Sequence, residues 1–135
     1  MINSFRGEHF FLSNFYEVPI EYNGITYRCA EAAFQAQKDL KRSEEFSNLS
    51  GKAAKALGYK VNLRKDWESV KDSIMRKIII EKFKQNPDIL KQLRATGTED
   101  LIEGNSWGDR YWGVCNGVGK NKLGNILMDV RAILS

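Results

Sequence analysis

The sequence has little of the chemistry that metal centres and nucleophilic triads need. Its 135 residues include two cysteines, Cys29 and Cys115, and a single histidine, His9. Protein zinc sites are built from closely spaced Cys and His ligands, which two isolated cysteines do not supply. A Ser-His or Cys-His catalytic pair would have to use His9, and no nucleophile motif accompanies that residue. We therefore expect no metal site and no cofactor.

Long apolar runs are also lacking. No stretch approaches the roughly 18 consecutive apolar residues that a membrane-spanning helix requires. The first residues, from Met1 to Arg6, lack the basic start and apolar core of a secretory signal. We expect a soluble, cytoplasmic protein without a membrane partner. The formal net charge of +4 fits an anionic partner such as a phosphate or a nucleic acid, but many soluble proteins carry such a charge without one.

Prolines are equally scarce, with two in the chain, and no low-complexity tract or internal repeat separates folding units. We expect a single domain over residues 1–135 with a helix-rich α+β fold. Asn23-Gly24, between two short β-prone segments, predicts an N-terminal hairpin. Apolar spacing and capping residues then predict about five helices, packed with short extended segments, that begin near Ala30, Ser50, Asp66, Pro87 and Asn121.

The sequence makes its most specific predictions for the first and third of these helices. The first is expected to run from about Ala30 to Lys41, with its alanines on one side. The third is expected to bury the side chains that recur at spacings of three to five residues, which are Trp67, Val70, Ile74, Ile78 and Phe83.

A polar stripe lies opposite the alanine face of the first helix. At 100° per residue, Glu31, Gln35 and Lys38 fall within a wedge of about 60°. Such a stripe is usually a solvated surface with a weak charge pair. The alternative is a helix lodged inside the fold, with its polar stripe lining a cleft. Spacing alone does not choose between these interpretations.

A second candidate is the aromatic loop, residues 103–113, which combines glycines, carboxylates and three large rings. Glycine weakens helices and strands, and uncovered rings on a loop expose apolar area, so such a loop often binds a ligand. A flat base could stack on an indole or phenol ring. The alternative is that Trp107 and Trp112 cap one end of the core.

The glycine-rich segment 113–121 precedes the last predicted helix. Backbone N–H groups at a helix start could bind a phosphate there, with Lys120 adding charge. The segment is not a Walker motif, because Lys120 is followed by Asn121 and not by Ser or Thr. A plain tight turn explains the same glycines.

Several short motifs in a fixed order resemble the NADAR superfamily, and within it the YbiA-like members. The motifs are Phe11–Tyr16, Glu31–Lys38, Asp66–Glu68, Asp109–Gly113 and Asn121–Arg131. The resemblance covers nearly the whole chain. It implies an N-glycosidase that hydrolyses a bond at the anomeric carbon of a ribosylated compound. The substrates it implies are phosphorylated ribosylaminopyrimidines of riboflavin biosynthesis, or ADP-ribose attached to guanine in nucleic acid.

The chemistry of that reaction implies a role for the charged residues in and near these motifs. Breaking an N-glycosidic bond needs a carboxylate near the ribose and a proton donor near the leaving nitrogen, and Glu31, Glu103 and Asp109 are the available carboxylates. Lys38 is expected to act either as the nucleophile, by forming a Schiff base with the sugar, or as an electrostatic catalyst. Its partners in acid–base chemistry would be Glu31 and Asp109.

The resemblance also implies which residues bind the substrate. We expect a two-part site in which the helix stripe faces the aromatic loop. The expected substrate-binding residues are Asn14, Gln35, Trp107, Tyr111, Trp112, Gly113, Lys120, Asn121 and Arg131.

Two other functions stay open at this point. A non-catalytic module that binds ADP-ribose or a related nucleotide would use the same pocket without turnover. A basic nucleic-acid-binding domain would use lysines such as Lys52, Lys55 and Lys60, and its affinity would fall steeply with salt. Neither the substrate nor the oligomeric state follows from the sequence.

Overall fold

The computed structural model describes all 135 residues, which form two compact units: residues 14–86, and residues 1–13 together with 87–135. Five α-helices and two 3-10 helices dominate, and all the strands are short. The predicted helix-rich α+β fold with an N-terminal hairpin is confirmed. That residues 1–135 form one domain stays a prediction. None of the helices combines the length and apolar composition needed to cross a bilayer.

The unit of residues 14–86 begins with the predicted hairpin. Strands β1 (Ile20–Tyr22) and β2 (Ile25–Tyr27) pair antiparallel. The turn between them places Asn23 and Gly24 at φ values of 52° and 83°, the left-handed region that Asn-Gly tolerates well. The side-chain amide of Gln85 pairs with the N–H and the carbonyl of Glu21, both at 2.8 Å, and so satisfies backbone groups of β1.

Helices form the rest of this unit. They are α1 (Ala30–Ala36), a 3-10 helix (Leu40–Phe46), α2 (Gly51–Gly58) and α3 (Trp67–Gln85). The hydroxyl of Ser50 accepts a hydrogen bond from the Ala53 N–H, which confirms Ser50 as the N-cap of α2. Every residue of α1 is buried, the polar ones included.

The prediction that the first helix reaches Lys41 is wrong, because α1 ends at Ala36. From Ala36 onward, the backbone groups form hydrogen bonds with residues outside the helix. The Ser43 hydroxyl donates to the Ala36 carbonyl at 2.9 Å, and the Arg64 N–H donates to the Lys38 carbonyl at 2.9 Å. Asp39 is extended and its carboxylate accepts from the N–H groups of Lys41 and Asn62. Lys38 therefore lies in the turn that follows α1.

The buried face of α3 is rotated from the predicted one. Trp67, Ile78 and Phe83 are buried as expected, whereas Val70 and Ile74 are half-buried. The buried face continues instead through Met75, Ile79 and Lys82. A fully buried lysine on this face hides its apolar periodicity, so the sequence pattern selects neighbouring positions.

The unit of residues 1–13 and 87–135 contains a 3-10 helix (Gly7–Leu12), α4 (Pro87–Ala95), β3 (Gly104–Asn105), β4 (Val114–Cys115) and α5 (Lys122–Ile133). Strands β3 and β4 pair parallel, and Ile2 forms a parallel bridge with Leu101. The Arg94 guanidinium on α4 donates to the carbonyl of Leu134, just after α5. On α5, Leu123, Ile126, Leu127 and Val130 are buried.

Candidate active site

Two polar side chains of α1 form a buried pair. Glu31 is 9% exposed and Gln35 is 5% exposed, and Gln35 Nε2 donates to Glu31 Oε2 at 2.7 Å. The Glu31 N–H donates to the Asn14 carbonyl at 2.9 Å. The interpretation of the stripe as a solvated surface is therefore wrong. The stripe is inside the unit, where a carboxylate needs compensating partners.

Lys38 follows this pair in the turn after α1. Its Nζ lies 5.6 Å from the ring centre of Tyr59 and 5.9 Å from that of Trp67. Burial lowers the pKa of Lys38 below that of a free lysine, the Glu31 charge opposes that change, and the positive charges of Lys55 and Lys71 add to it. A larger fraction of the Lys38 amine is therefore unprotonated than for an exposed lysine at the same pH.

Helix α2 closes one side of this cluster through Gly58. A Cβ added at Gly58 would overlap Gln35 Oε1, and it would lie 2.9 Å from Gln35 Cδ and 3.5 Å from Lys38 Nζ. The absence of a side chain at Gly58 thus lets the Gln35 carboxamide approach the α2 backbone. Gln35 Oε1 fills the space that a side chain at Gly58 would take, and Lys38 Nζ lies beside it.

Asn14 completes the cluster. It is 7% exposed, and its Nδ2 lies 3.5 Å from the sulfur of Met75 on α3. Two buried oxygens of the cluster, Asn14 Oδ1 and Gln35 Oε1, have no hydrogen-bond partner. Buried acceptors in proteins are nearly always paired, so unpaired ones point to a bound group that supplies the donor.

The aromatic loop belongs to the other unit and is closed by its own hydrogen bonds. Asn105 Nδ2 donates to the Asp109 carbonyl, and Asn105 Oδ1 accepts from the Asp109 N–H. Trp107 at the tip is 55% exposed, and the Arg6 guanidinium lies 5.8 Å from its ring centre. The alternative interpretation, that Trp107 caps the core, is wrong, since more than half of its surface is exposed.

Backbone groups use several of the polar atoms predicted for catalysis or substrate binding in this unit. The Asp109 carboxylate accepts from the N–H groups of Tyr111 and Trp112. The Asn121 side chain accepts from the Glu103 N–H and donates to the Leu101 carbonyl. Gly113 leaves no room for a Cβ, which would meet the Glu103 backbone and side chain. These contacts shape the loop.

The glycine-rich segment contains a tight turn. Asn116 and Gly117 have φ values of 52° and 74°, and Cys115 and Val118 exchange two backbone hydrogen bonds across them. At the start of α5, the N–H groups of Lys122 and Leu123 donate to the carbonyls of Tyr111 and Trp112. These N–H groups are therefore already paired within the chain.

The remaining predicted binding residues are placed as follows. Lys120 Nζ lies 5.4 Å from the ring centre of Tyr111, whose ring packs edge-on against that of Trp112 at 4.9 Å. The Arg131 guanidinium donates to the Thr96 hydroxyl at 2.9 Å. No group of three or more His, Cys, Asp or Glu side chains is placed to bind a metal ion.

Comparison with known proteins decides the family. The family model described as the NADAR domain matches residues 3–135 of the sequence. The N-glycosidase YbiA of Shigella boydii is 42% identical over 129 residues, which cover 91% of this chain and 80% of that protein. The chain belongs to the NADAR family. The expected class of N-glycosyl hydrolase is thereby confirmed for the family of this chain.

Other relatives extend the NADAR comparison. The NMR structure of the Escherichia coli protein YbiA matches with a TM-score of 0.85 and 37% identity, covering 99% of this chain and 86% of that one. The riboflavin biosynthesis protein VVA0006 of Vibrio vulnificus is 40% identical over 129 residues, which cover 91% of this chain and 35% of that protein.

The predicted NADAR site residues divide between the two units. The structure brings Asn14, Glu31, Gln35 and Lys38 together in the unit of residues 14–86. We call this group the lysine cluster. The other predicted residues belong to the second unit, so the two-part site stays a prediction. They are Glu103, Trp107, Asp109, Tyr111, Trp112, Gly113, Lys120, Asn121 and Arg131.

Sequence reasoning did not assign Tyr59, Trp67 or Gly58 to the lysine cluster. Trp67 was expected in the core; it is buried, and its ring also contacts Phe34 with centres 5.0 Å apart. Its place in the Asp66–Glu68 motif was a signal for a further role. For Tyr59 and Gly58 no local signal exists, because only the packing of α2 brings them near Lys38.

Proposed function

We propose that this NADAR chain hydrolyses the N-glycosidic bond of a phosphorylated ribosyl compound of the ribosylaminopyrimidine class. The observation that carries the proposal is the half-buried Lys38, with its lowered pKa, close to the buried Glu31. Among the relatives, the protein of Vibrio vulnificus is named for riboflavin biosynthesis, which supports this substrate class. Residence in the cytoplasm stays a prediction.

Lys38 would act on the ribose carbon. An unprotonated amine can attack C1 of the ring-opened ribosyl amine, and the aminopyrimidine then leaves with a proton as the C1–N bond to Lys38 becomes an imine. Water hydrolyses the imine, which releases the ribose phosphate and restores the amine. The net reaction consumes one water for each base released.

Glu31 would move the protons of this sequence. Its carboxylate is held by Gln35 and is close enough to influence the charge of Lys38. The Glu31 carboxylate can accept the proton that the Lys38 amine loses on attacking C1 and donate it to the departing amine, and it can then accept a proton from the attacking water. Asp109, the other predicted partner, already accepts two backbone hydrogen bonds, and its catalytic role stays a prediction.

The substrate class is tested by incubating the protein in parallel with ribosylaminopyrimidine phosphates and with DNA carrying ADP-ribose on guanine. We expect release of the aminopyrimidine, measured by chromatography, and its loss in Glu31→Gln. Turnover of the modified DNA alone would assign the chain to the second substrate class. Tight binding of ADP-ribose without turnover of either compound would support a binding module and overturn the proposal.

The Schiff-base step has its own test. Borohydride added during turnover reduces an imine to a stable secondary amine. Mass spectrometry of the digested protein should then show a ribose-phosphate adduct on Lys38. Full turnover without any adduct would leave Lys38 as an electrostatic catalyst and favour direct attack by water.

A further inference from the structure

The buried amides of the unit of residues 14–86 differ in how completely they are paired. Gln37 is 3% exposed, and its Nε2 donates to the Ala33 carbonyl at 2.9 Å. Gln35, two residues earlier and equally buried, leaves its Oε1 without a partner. An unpaired buried acceptor destabilises the fold, because it has lost its hydrogen bonds to water without gaining another. Of these two buried glutamines, only Gln35 has a buried side-chain oxygen without a hydrogen-bond partner.

The orientation of the Gln35 amide follows from its neighbour. The carboxylate of Glu31 accepts hydrogen bonds only, so the group that faces it at 2.7 Å must be the NH2 of Gln35. The oxygen therefore points away from Glu31. The same reasoning does not apply to Asn14, whose amide faces the thioether of Met75.

The open oxygen fills the space left by the absent side chain of Gly58 and lies close to the Lys38 amine. A point at the missing Cβ of Gly58 overlaps Gln35 Oε1 and lies 3.5 Å from Lys38 Nζ. A group that reacts with Lys38 would therefore have its neighbouring atoms beside Gln35 Oε1. In a ribose bound with C1 at Lys38, the carbon next to C1 carries a hydroxyl.

We propose that Gln35 Oε1 accepts a hydrogen bond from the ribose hydroxyl on C2, and that Gln35 thereby selects ribosyl over 2-deoxyribosyl substrates. The inference rests on the proposed function, since it places the ribose by the action of Lys38 on C1. A site built to hydrogen-bond a hydroxyl rejects the analogue that lacks it, because its own acceptor is then left unpaired. Glu31 holds Gln35 in the selective orientation.

The test compares the binding of ribose 5-phosphate and 2-deoxyribose 5-phosphate, the sugar products of the two substrate types. Titration calorimetry gives both dissociation constants for the wild type and for Gln35→Met, which keeps the side-chain length but has no oxygen acceptor. We expect the wild type to bind the deoxy sugar about tenfold more weakly. In Gln35→Met the two constants should be nearly equal. A purely structural role would weaken both sugars together and leave their ratio unchanged.

Two further variants complete the test. Gln37→Met changes the paired glutamine and should keep the wild-type ratio. Gly58→Ala should displace the Gln35 amide and make the dissociation constants of the two sugars nearly equal. This variant keeps the proposal testable if Gln35→Met does not fold. Equal constants in the wild type, no binding of either sugar, or an unchanged ratio in Gln35→Met would overturn the inference.

Failure of this inference can be told apart from failure of the proposed function. Release of the aminopyrimidine by the wild type together with equal sugar constants would overturn the role of Gln35 alone. A wild-type preference for the ribosyl sugar without turnover of any ribosyl compound would overturn the hydrolase proposal and leave a ribose-binding site.

Discussion

At the scale of single residues, the charge state of Lys38 depends on four influences. Burial is the largest and favours the neutral amine; Glu31 favours the ammonium form, and Lys55 and Lys71 oppose it. An amine that attacks carbon must be unprotonated, so the pKa of Lys38 sets the pH at which the Schiff-base route becomes effective. Changing a neighbouring charge should therefore move the pH profile in a defined direction.

Lys55→Gln tests this direction. Removing the positive charge of Lys55 favours the ammonium form of Lys38 and raises its pKa, so the rise of activity with pH should move to higher pH. Lys52→Gln, an exposed position on the same helix, is the matched control and should leave the profile unchanged. The measurement is kcat against pH. A profile that moves to lower pH in Lys55→Gln would contradict this account of Lys38.

Asn14 gives a second prediction at this scale. The side chain of Asn14 is a buried amide whose oxygen is unpaired. Asn14→Leu exchanges this amide for an apolar side chain of similar size. We expect the free energy of unfolding to rise by about 1 kcal/mol while hydrolysis is lost, because functional sites often keep groups that destabilise the fold. Urea unfolding and base release measure the two effects. A clear loss of stability would show that Asn14 serves the fold.

At the scale of elements, α1 is a short helix buried on all sides. Its alanines let other elements approach, and its polar residues form the lysine cluster. The helix pattern and the residue types were readable from the sequence. Its end was not, because contacts from Ser43, Asn62 and Arg64 fix the chain after Ala36. Such long-range contacts leave no local pattern.

Gly58→Ala tests the approach of α2 to α1. Alanine favours a helix over glycine by about 1 kcal/mol, but its Cβ would overlap Gln35 Oε1. We expect a net loss of about 1–2 kcal/mol in the free energy of unfolding, since overpacking outweighs helix propensity. Ala53→Gly, at an exposed position of α2, is the comparison and should cost about 1 kcal/mol. Equal or greater stability of Gly58→Ala would show that α1 and α2 have room to separate.

At the scale of the whole molecule, local signals predicted the elements well. Asn23-Gly24 predicted the hairpin turn, and Ser50 predicted the start of α2, because a turn or a cap is decided by a few adjacent residues. The buried face of α3 was harder to predict, since the buried Lys82 interrupts its apolar pattern. A prediction from periodicity assumes that buried positions are apolar, and the unit of residues 14–86 buries several polar side chains.

The candidate site could be predicted only in part. The ordered motifs identified Glu31, Gln35 and Lys38, while spacing alone favoured a solvated surface. Their burial and the two rings near Lys38 depend on how α2 and α3 pack around α1, which no single motif encodes. The aromatic loop was found as a loop, but its internal hydrogen bonds show that part of its polar chemistry serves its own shape.

The most direct test of the central claim is base release by Lys38→Met compared with Lys52→Met. Methionine keeps most of the side-chain length beside Tyr59 and Trp67 and removes the amine. With the ribosylaminopyrimidine phosphate as substrate, the kcat of Lys38→Met should fall by a factor on the order of 100 or more, while its unfolding by urea changes little. Lys52→Met should match the wild type. Wild-type turnover by Lys38→Met would contradict the assignment of the lysine cluster as the active site.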